Sequence, residues 1–212
     1  MPYAPLTLFN GCPSFFQDFN DRLVKDHAGR SLAAANRIQL AQTGLGLHYV
    51  DGLQSAASKW RLAEGVTGLS YSDISDVSDL LATSYSAQAR VSLSVVAFEA
   101  FARIFLGGNW PDAQVAVFTA HNPALCSEVR SMLNTDGLFT KLHSSANPAQ
   151  QARLNNFQNS GRDDELYPVC VAIRNAFAHG AIGGMSCVID AAPKLQMYAL
   201  NGIRQYCDDL GT

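Results

Sequence analysis

The sequence predicts an all-α protein built on a single core, and three observations carry that prediction. Apolar residues recur at helical spacing through most of the chain, most clearly at 91, 95, 98, 101, 102 and 105. Asn-Pro pairs and isolated glycines punctuate the chain where helices should start and stop, as at Asn122-Pro123, Asn147-Pro148, Gly29 and Gly180. The 212 residues are 48% hydrophobic and only 16% charged, enough to bury one sizeable core and too apolar for a disordered chain.

Taken in order, residues 14–27 place Phe15, Phe16, Phe19 and Leu23 on one stripe before Gly29. Two further helices are predicted over 30–42 and 47–63, separated by the glycines of "TGLGL". The serines and aspartates of "SYSDISDVSD" predict a capped start near Ser72 or Asp73. A long helix over roughly 85–106 follows and stops at Gly107-Gly108. Residues 107–123 are read as an irregular insertion over the core, with "QVAVF" as a candidate short strand. The Asn-Pro pairs open helices near 123–134 and 148–158. The helix carrying "CVAIRNAFAHG" has acidic residues at its start, Pro168 in its first turn and Gly180 at its end. "AIGGMSCVID" reads as a glycine-rich loop with a short strand at 186–189, ahead of a last helix over 192–209. No repeat, low-complexity tract or linker divides the chain, so residues 1–212 are read as one domain, with 1–70 as an N-terminal helical extension of a core over 73–209.

Several function classes are disfavoured at once. A net charge of −3 gives no overall basic field for gripping nucleic acid, although a local basic cleft remains compatible with it. Five scattered cysteines without a Cys-x-x-Cys pair predict reduced thiols rather than a zinc site or a disulfide framework. The most apolar segment, "VSLSVVAFEAFARIFLGG", holds Glu99 and Arg103 well inside it, which predicts a buried core helix and no membrane span. The N-terminus shows no basic and apolar secretory leader, so a cytoplasmic location is expected. No cofactor is predicted: "GLGLHY" lacks the Gly-Lys-Ser/Thr ending of a phosphate loop, and Ser186-Cys187 lacks a nucleophile-elbow context.

The chemistry-bearing stretch is "AIRNAFAHG", residues 172–180. On a helical wheel stepping about 100° per residue, Leu166, Cys170, Ile173 and Phe177 form the core face. Asn175, His179, Pro168, Ala172 and Ala176 fall opposite, with Arg174 on the flank. Alanines at 172 and 176 on that second face predict close approach of another helix, so that a twofold partner would bring two copies of Arg174 and His179 into one cleft. Asn175 stands one turn from His179 and can orient the imidazole or the neighbouring guanidinium. The helix C-terminus favours the charged imidazole while Arg174 opposes it. Histidine is suited to proton transfer near neutral pH and arginine to holding phosphoryl oxygens. No Asp/Glu/His cluster calls for a metal, so this pairing fits metal-independent cleavage of an RNA phosphodiester.

"RNAFAHG" resembles the R-x4-6-H motif of the HEPN superfamily, commonly written as Arg-Asn, three residues, then His near a helix end. The resemblance implies a small α-helical bundle acting as a homodimeric endoribonuclease, with its site at the dimer interface on the 165–180 helix. It also implies 2′,3′-cyclic phosphate products, a role in toxin–antitoxin or other defence systems, and an antitoxin protein as partner. In those terms Arg174, Asn175 and His179 are the catalytic set. The helix "ARVSLSVVAFEAFARIF" resembles the earlier core helix of such domains. Within it Glu99, a charge in an apolar helix, is expected to pair with Arg90, Arg103 or Arg174 and to support the site. Arg153 and Arg162 flank the entry to the motif helix and are candidate contacts to RNA phosphates. Spacing alone is not diagnostic, since Arg22 and His27 repeat it without a following asparagine. His48, His121 and His143 are read as local or surface contacts. The competing reading is a non-catalytic HEPN-like module that binds a nucleotide or scaffolds a partner protein.

Overall fold

The computed structural model describes residues 12–19, 49–66, 68, 78–105 and 123–209. Every regular element among these residues is helical, and the all-α expectation holds. A short helical stretch at 14–19 precedes α1 (Tyr49–Gly65) and α2 (Asp79–Phe105). Then come α3 (Pro123–Leu133), α4 (Leu138–Ser145) and α5 (Pro148–Gln158). A 3-10 turn at Asp163–Glu165 leads into α6 (Leu166–Ala178), and α7 (Ser186–Asp209) follows. The predicted helix at 30–42, the residues 20–27, the start near Ser72 or Asp73, and the insertion at 107–122 with its candidate strand lie outside the described residues.

The 27-residue helix α2 is the axis of the molecule, packed against α1, α6 and α7. Its start is at Asp79, where the Ser78 hydroxyl accepts the Leu81 N–H at 3.2 Å and satisfies one of the unpaired donors of the first turn. Val91, Val95, Phe98, Phe101 and Ala102 are buried at the predicted helical spacing. The serines that dilute the helix are accommodated by bonding back to their own backbone: Ser86, Ser92 and Ser94 each donate to the carbonyl four residues earlier at 2.8 Å.

On one side of α2, Phe16 and Phe19 of the N-terminal stretch pack with Leu53, Ala56 and Trp60 of α1, and the Phe19 ring lies 6.3 Å from that of Phe101. On the other, Leu142, Leu154, Phe157, Leu166, Cys170 and Ile173 bring α4, α5 and α6 into the same contiguous core. The described residues of the N-terminal extension contribute to this same core.

Two local expectations are corrected. Residues 186–189 are helical, the first turn of α7, and not a strand: Val188, Ala191, Ala192 and Leu195 are buried at helical spacing. The last helix, expected over 192–209, begins at Ser186, and Pro193 lies within it on the solvent side. Helix α4 was not anticipated. It begins after Asp136 and Gly137, both with positive φ (54° and 70°), which reverse the chain at the end of α3. The Asn147 cap of α5 matches its expectation, its side chain accepting from the Gln150 N–H at 2.9 Å with Pro148 next in line.

Ser84 ties the loop after α6 to α2. Its hydroxyl donates to the Gly183 carbonyl at 3.1 Å and accepts the buried Met185 N–H at 3.1 Å, while the Gln88 amide donates to both Ser84 and Gly183. Gly184 lies so close to Leu81 that a Cβ would sit 3.2 Å from its Cα. Ser84→Ala strands the Met185 N–H and should lower the unfolding free energy by about 1–3 kcal/mol, read as an earlier urea midpoint at unchanged slope. Ser92→Ala, which removes only a bond back to its own helix, should leave the midpoint nearly unmoved.

Candidate active site

Helix α6 is sandwiched, with α2 on one side and α4 and α5 on the other. Leu166, Tyr167, Val169, Cys170 and Ile173 are buried, and so are Pro168, Ala172 and Ala176. The alanine face expected to receive a partner helix is therefore covered by the chain itself. What stays open is a strip along the C-terminal half of the helix, made of Val171, Arg174, Asn175, Ala178 and His179. The three motif residues share that strip, Arg174 at one margin and His179 at the other.

The helix end is closed without help from the imidazole. His179 is the C-cap residue, and its backbone N–H reaches the Asn175 carbonyl at 3.0 Å. Gly180 takes a left-handed φ of 64°, and its N–H and that of Ala181 return to the carbonyls of Phe177 (3.1 Å) and Ala176 (2.8 Å). This crossed pair of bonds satisfies the last carbonyls from the backbone alone. A Cβ at 180 would be strained by that φ, so the glycine after the histidine is a requirement of the turn. The His179 side chain is left at the surface with no hydrogen-bonding partner among the described residues.

Arg174 is held from behind. Its Nη1 donates to Glu99 Oε1 at 2.6 Å, with side chains only 26% and 21% exposed. The same Glu99 oxygen accepts the Tyr167 hydroxyl at 3.0 Å. Arg174 Nε lies 3.4 Å from the Asn175 side-chain oxygen, so Asn175 contacts the arginine and not the imidazole. Burial, and then the Glu99 charge, push the Tyr167 phenol well above the usual range, which keeps it a proton donor to the carboxylate. Tyr167 went unnoticed in the sequence. The available signal was its place two turns before Arg174, about 20° away on the wheel.

The other sequence candidates are not brought to this strip. Arg153 Nε pairs with the buried Glu165 at 2.7 Å, and Arg162 pairs with Asp164. Both acids lie at the N-terminal end of α6, roughly 20 Å along the helix from His179. Arg162 and Asp164 stabilise each other's charged forms, lowering the carboxyl and raising the guanidinium. His143 bonds to Asn155 at 3.1 Å and packs on Phe139, a structural role. Arg22, His27, His48 and His121 lie outside the described residues. Cys12, Cys126, Cys170 and Cys187 are unpaired thiols, and burial raises Cys126 to about 11 and Cys170 to about 12. No described helix is long and apolar enough to cross a membrane.

No family model matches the chain, and neither a curated protein nor a solved structure does.

The Tyr167–Glu99 bond has a pH signature. Its folded pKa is raised, so its stabilisation is complete below the ordinary tyrosine pKa of about 10 and declines as pH rises beyond it. Wild type should therefore lose more stability between pH 8 and pH 11 than Tyr167→Phe loses over the same interval. Paired urea melts at the two pH values measure the difference.

Proposed function

We propose that the protein is a metal-independent endoribonuclease of HEPN type, acting as a homodimer through the open strip of α6. One observation carries the reading: Arg174, Asn175 and His179 share that strip, with the guanidinium fixed from behind and the imidazole unused by the fold. A mobile arginine would lose entropy on gripping a phosphate, whereas one anchored through Nη1 keeps its other N–H groups available in a set direction.

In the proposed reaction the 2′-hydroxyl of the substrate gives up its proton and its oxygen attacks phosphorus. The bond to the 5′-oxygen breaks, that oxygen takes a proton, and a 2′,3′-cyclic phosphate remains. The imidazole of one His179 accepts the first proton as base, and that of a second copy across the twofold axis supplies the other as acid. Arg174 stabilises the charge that builds on the phosphoryl oxygens, and Asn175 steadies Arg174. Glu99 and Tyr167 position the arginine without touching the substrate.

RNA cleavage in EDTA, with mass measured by light scattering, tests the reading. The wild-type dimer should yield 2′,3′-cyclic ends, and His179→Ala should lower the rate by roughly 10²–10⁴-fold while remaining a folded dimer. Arg174→Lys keeps the charge but not the fork and should also lose most activity. A strictly monomeric wild type, or a dimer inert towards varied RNAs, counts against the proposal and favours a non-catalytic binding module.

A further inference from the structure

We propose that a cavity of about 370 Å³ between α1, α2 and α7 binds a small molecule carrying a carboxylate on an apolar body. Its walls are Trp60 and Glu64 of α1, Arg90 of α2, and Pro193, Gln196 and Met197 of α7. The volume falls in the range of small-ligand sites, which combine apolar walls with a few convergent polar groups. The inference does not rest on the ribonuclease reading and concerns a different set of residues.

The polar groups here are unbalanced in one direction. Trp60 is 1% exposed, yet its indole N–H meets no acceptor. The Nε–H of Arg90 is buried and likewise unmatched. The hydrogen bond that Arg90 does make is from Nη2 to the Oε1 of Gln196 at 3.1 Å, a neutral amide. Elsewhere the chain treats half-buried arginines differently: Arg130 pairs with Asp163, Arg153 with Glu165 and Arg174 with Glu99. Arg90 has no carboxylate partner among the described residues. Buried donors without acceptors are costly, and a guanidinium whose one side-chain bond goes to a neutral amide leaves its charge to be met by an anionic acceptor. A planar carboxylate matches the guanidinium fork. Trp60, Pro193 and Met197 would cover the apolar body of the same molecule.

Glu64 sets the sign of a second effect. It lines the cavity as an exposed acid and opposes an incoming anion, so removing its charge should tighten binding rather than weaken it.

The test is titration with benzoate, followed by the Trp60 indole resonance in a ¹H–¹⁵N spectrum, with benzamide as the uncharged counterpart. Saturable movement with benzoate and none with benzamide is expected. Arg90→Met should weaken benzoate roughly tenfold or more, the usual value of a charge-assisted bond. Glu64→Gln should bind it more tightly than wild type. Absence of a saturable shift, equal binding of benzamide, or an Arg90→Met variant that binds as wild type overturns the proposal. If Arg90→Met does not fold, the surface variant Glu64→Gln decides alone, and a failure to tighten counts as refutation.

Discussion

A carboxylate in the apolar middle of the central helix constrains the rest of the molecule. Glu99 sits on α2 among Val95, Phe98, Phe101 and Ala102, where an uncompensated charge would cost several kcal/mol. Arg174 and Tyr167 meet one of its oxygens from the same face of α6. Ion pairs of this kind contribute little net stability compared with an apolar pair, but breaking one strands a charge, so they fix how two helices can sit. Once α6 is docked on α2 through this contact, Tyr167 must face inward with its ring 5.5 Å from that of Phe98. The C-terminal half of the helix is then turned so that Asn175 and His179 face out. The geometry of the open strip is a consequence of where Glu99 lies.

The far end of α6 is fixed by separate means that reinforce the first. The left-handed Gly180 closes the helix, Ile182 is buried two residues later, and Ser84 with Gln88 binds the backbone at 183 and 185. Both Ser84 and Gln88 belong to α2, about four and about three turns before Glu99 along the same helix. One helix therefore anchors α6 at its middle and the loop that leaves it. The backbone at His179 is thereby tied into the same framework that holds Arg174, while the imidazole itself is left unbonded at the surface.

Much of this was legible in the sequence, and the misses have physical causes. The apolar periodicity of α2, the Asn147-Pro148 start of α5 and the glycine stop of α6 could be read directly, because each is a local rule with one outcome. Glu99 could be read as a charge in need of a partner, and Arg174 was among the named candidates. The burial of Pro168, Ala172 and Ala176 could not, since a wheel assumes one core side and α6 has two. The start of α7 was obscured because proline usually opens helices or ends them. Here buried residues on both sides of Pro193 offset the lost hydrogen bond, whose cost is about 3 kcal/mol. Helix α4 was missed because eight residues opening on Asp-Gly carry too few turns to show a period.

The arginines show how an acidic protein can still present local positive sites. Arg130, Arg153 and Arg162 are matched one to one by Asp163, Glu165 and Asp164, and Arg130 also stacks over Phe157 at 4.5 Å. That turn is close to neutral, and its arginines serve to dock α5 and α3 on the start of α6. Arg174 is different, because its partner carboxylate also receives a tyrosine hydroxyl and the pair remains about a quarter exposed. Arg90 differs again, with a neutral amide in place of a carboxylate. Net charge sums over all five and hides the distinction. What matters for recognising an anion is how far a held guanidinium is already neutralised, and Arg90, bonded to a neutral amide, is the least neutralised of these five. Arg174 and Arg90 lie on different helices and face different surroundings, one an open helix strip beside an imidazole and the other a cavity walled by tryptophan and methionine.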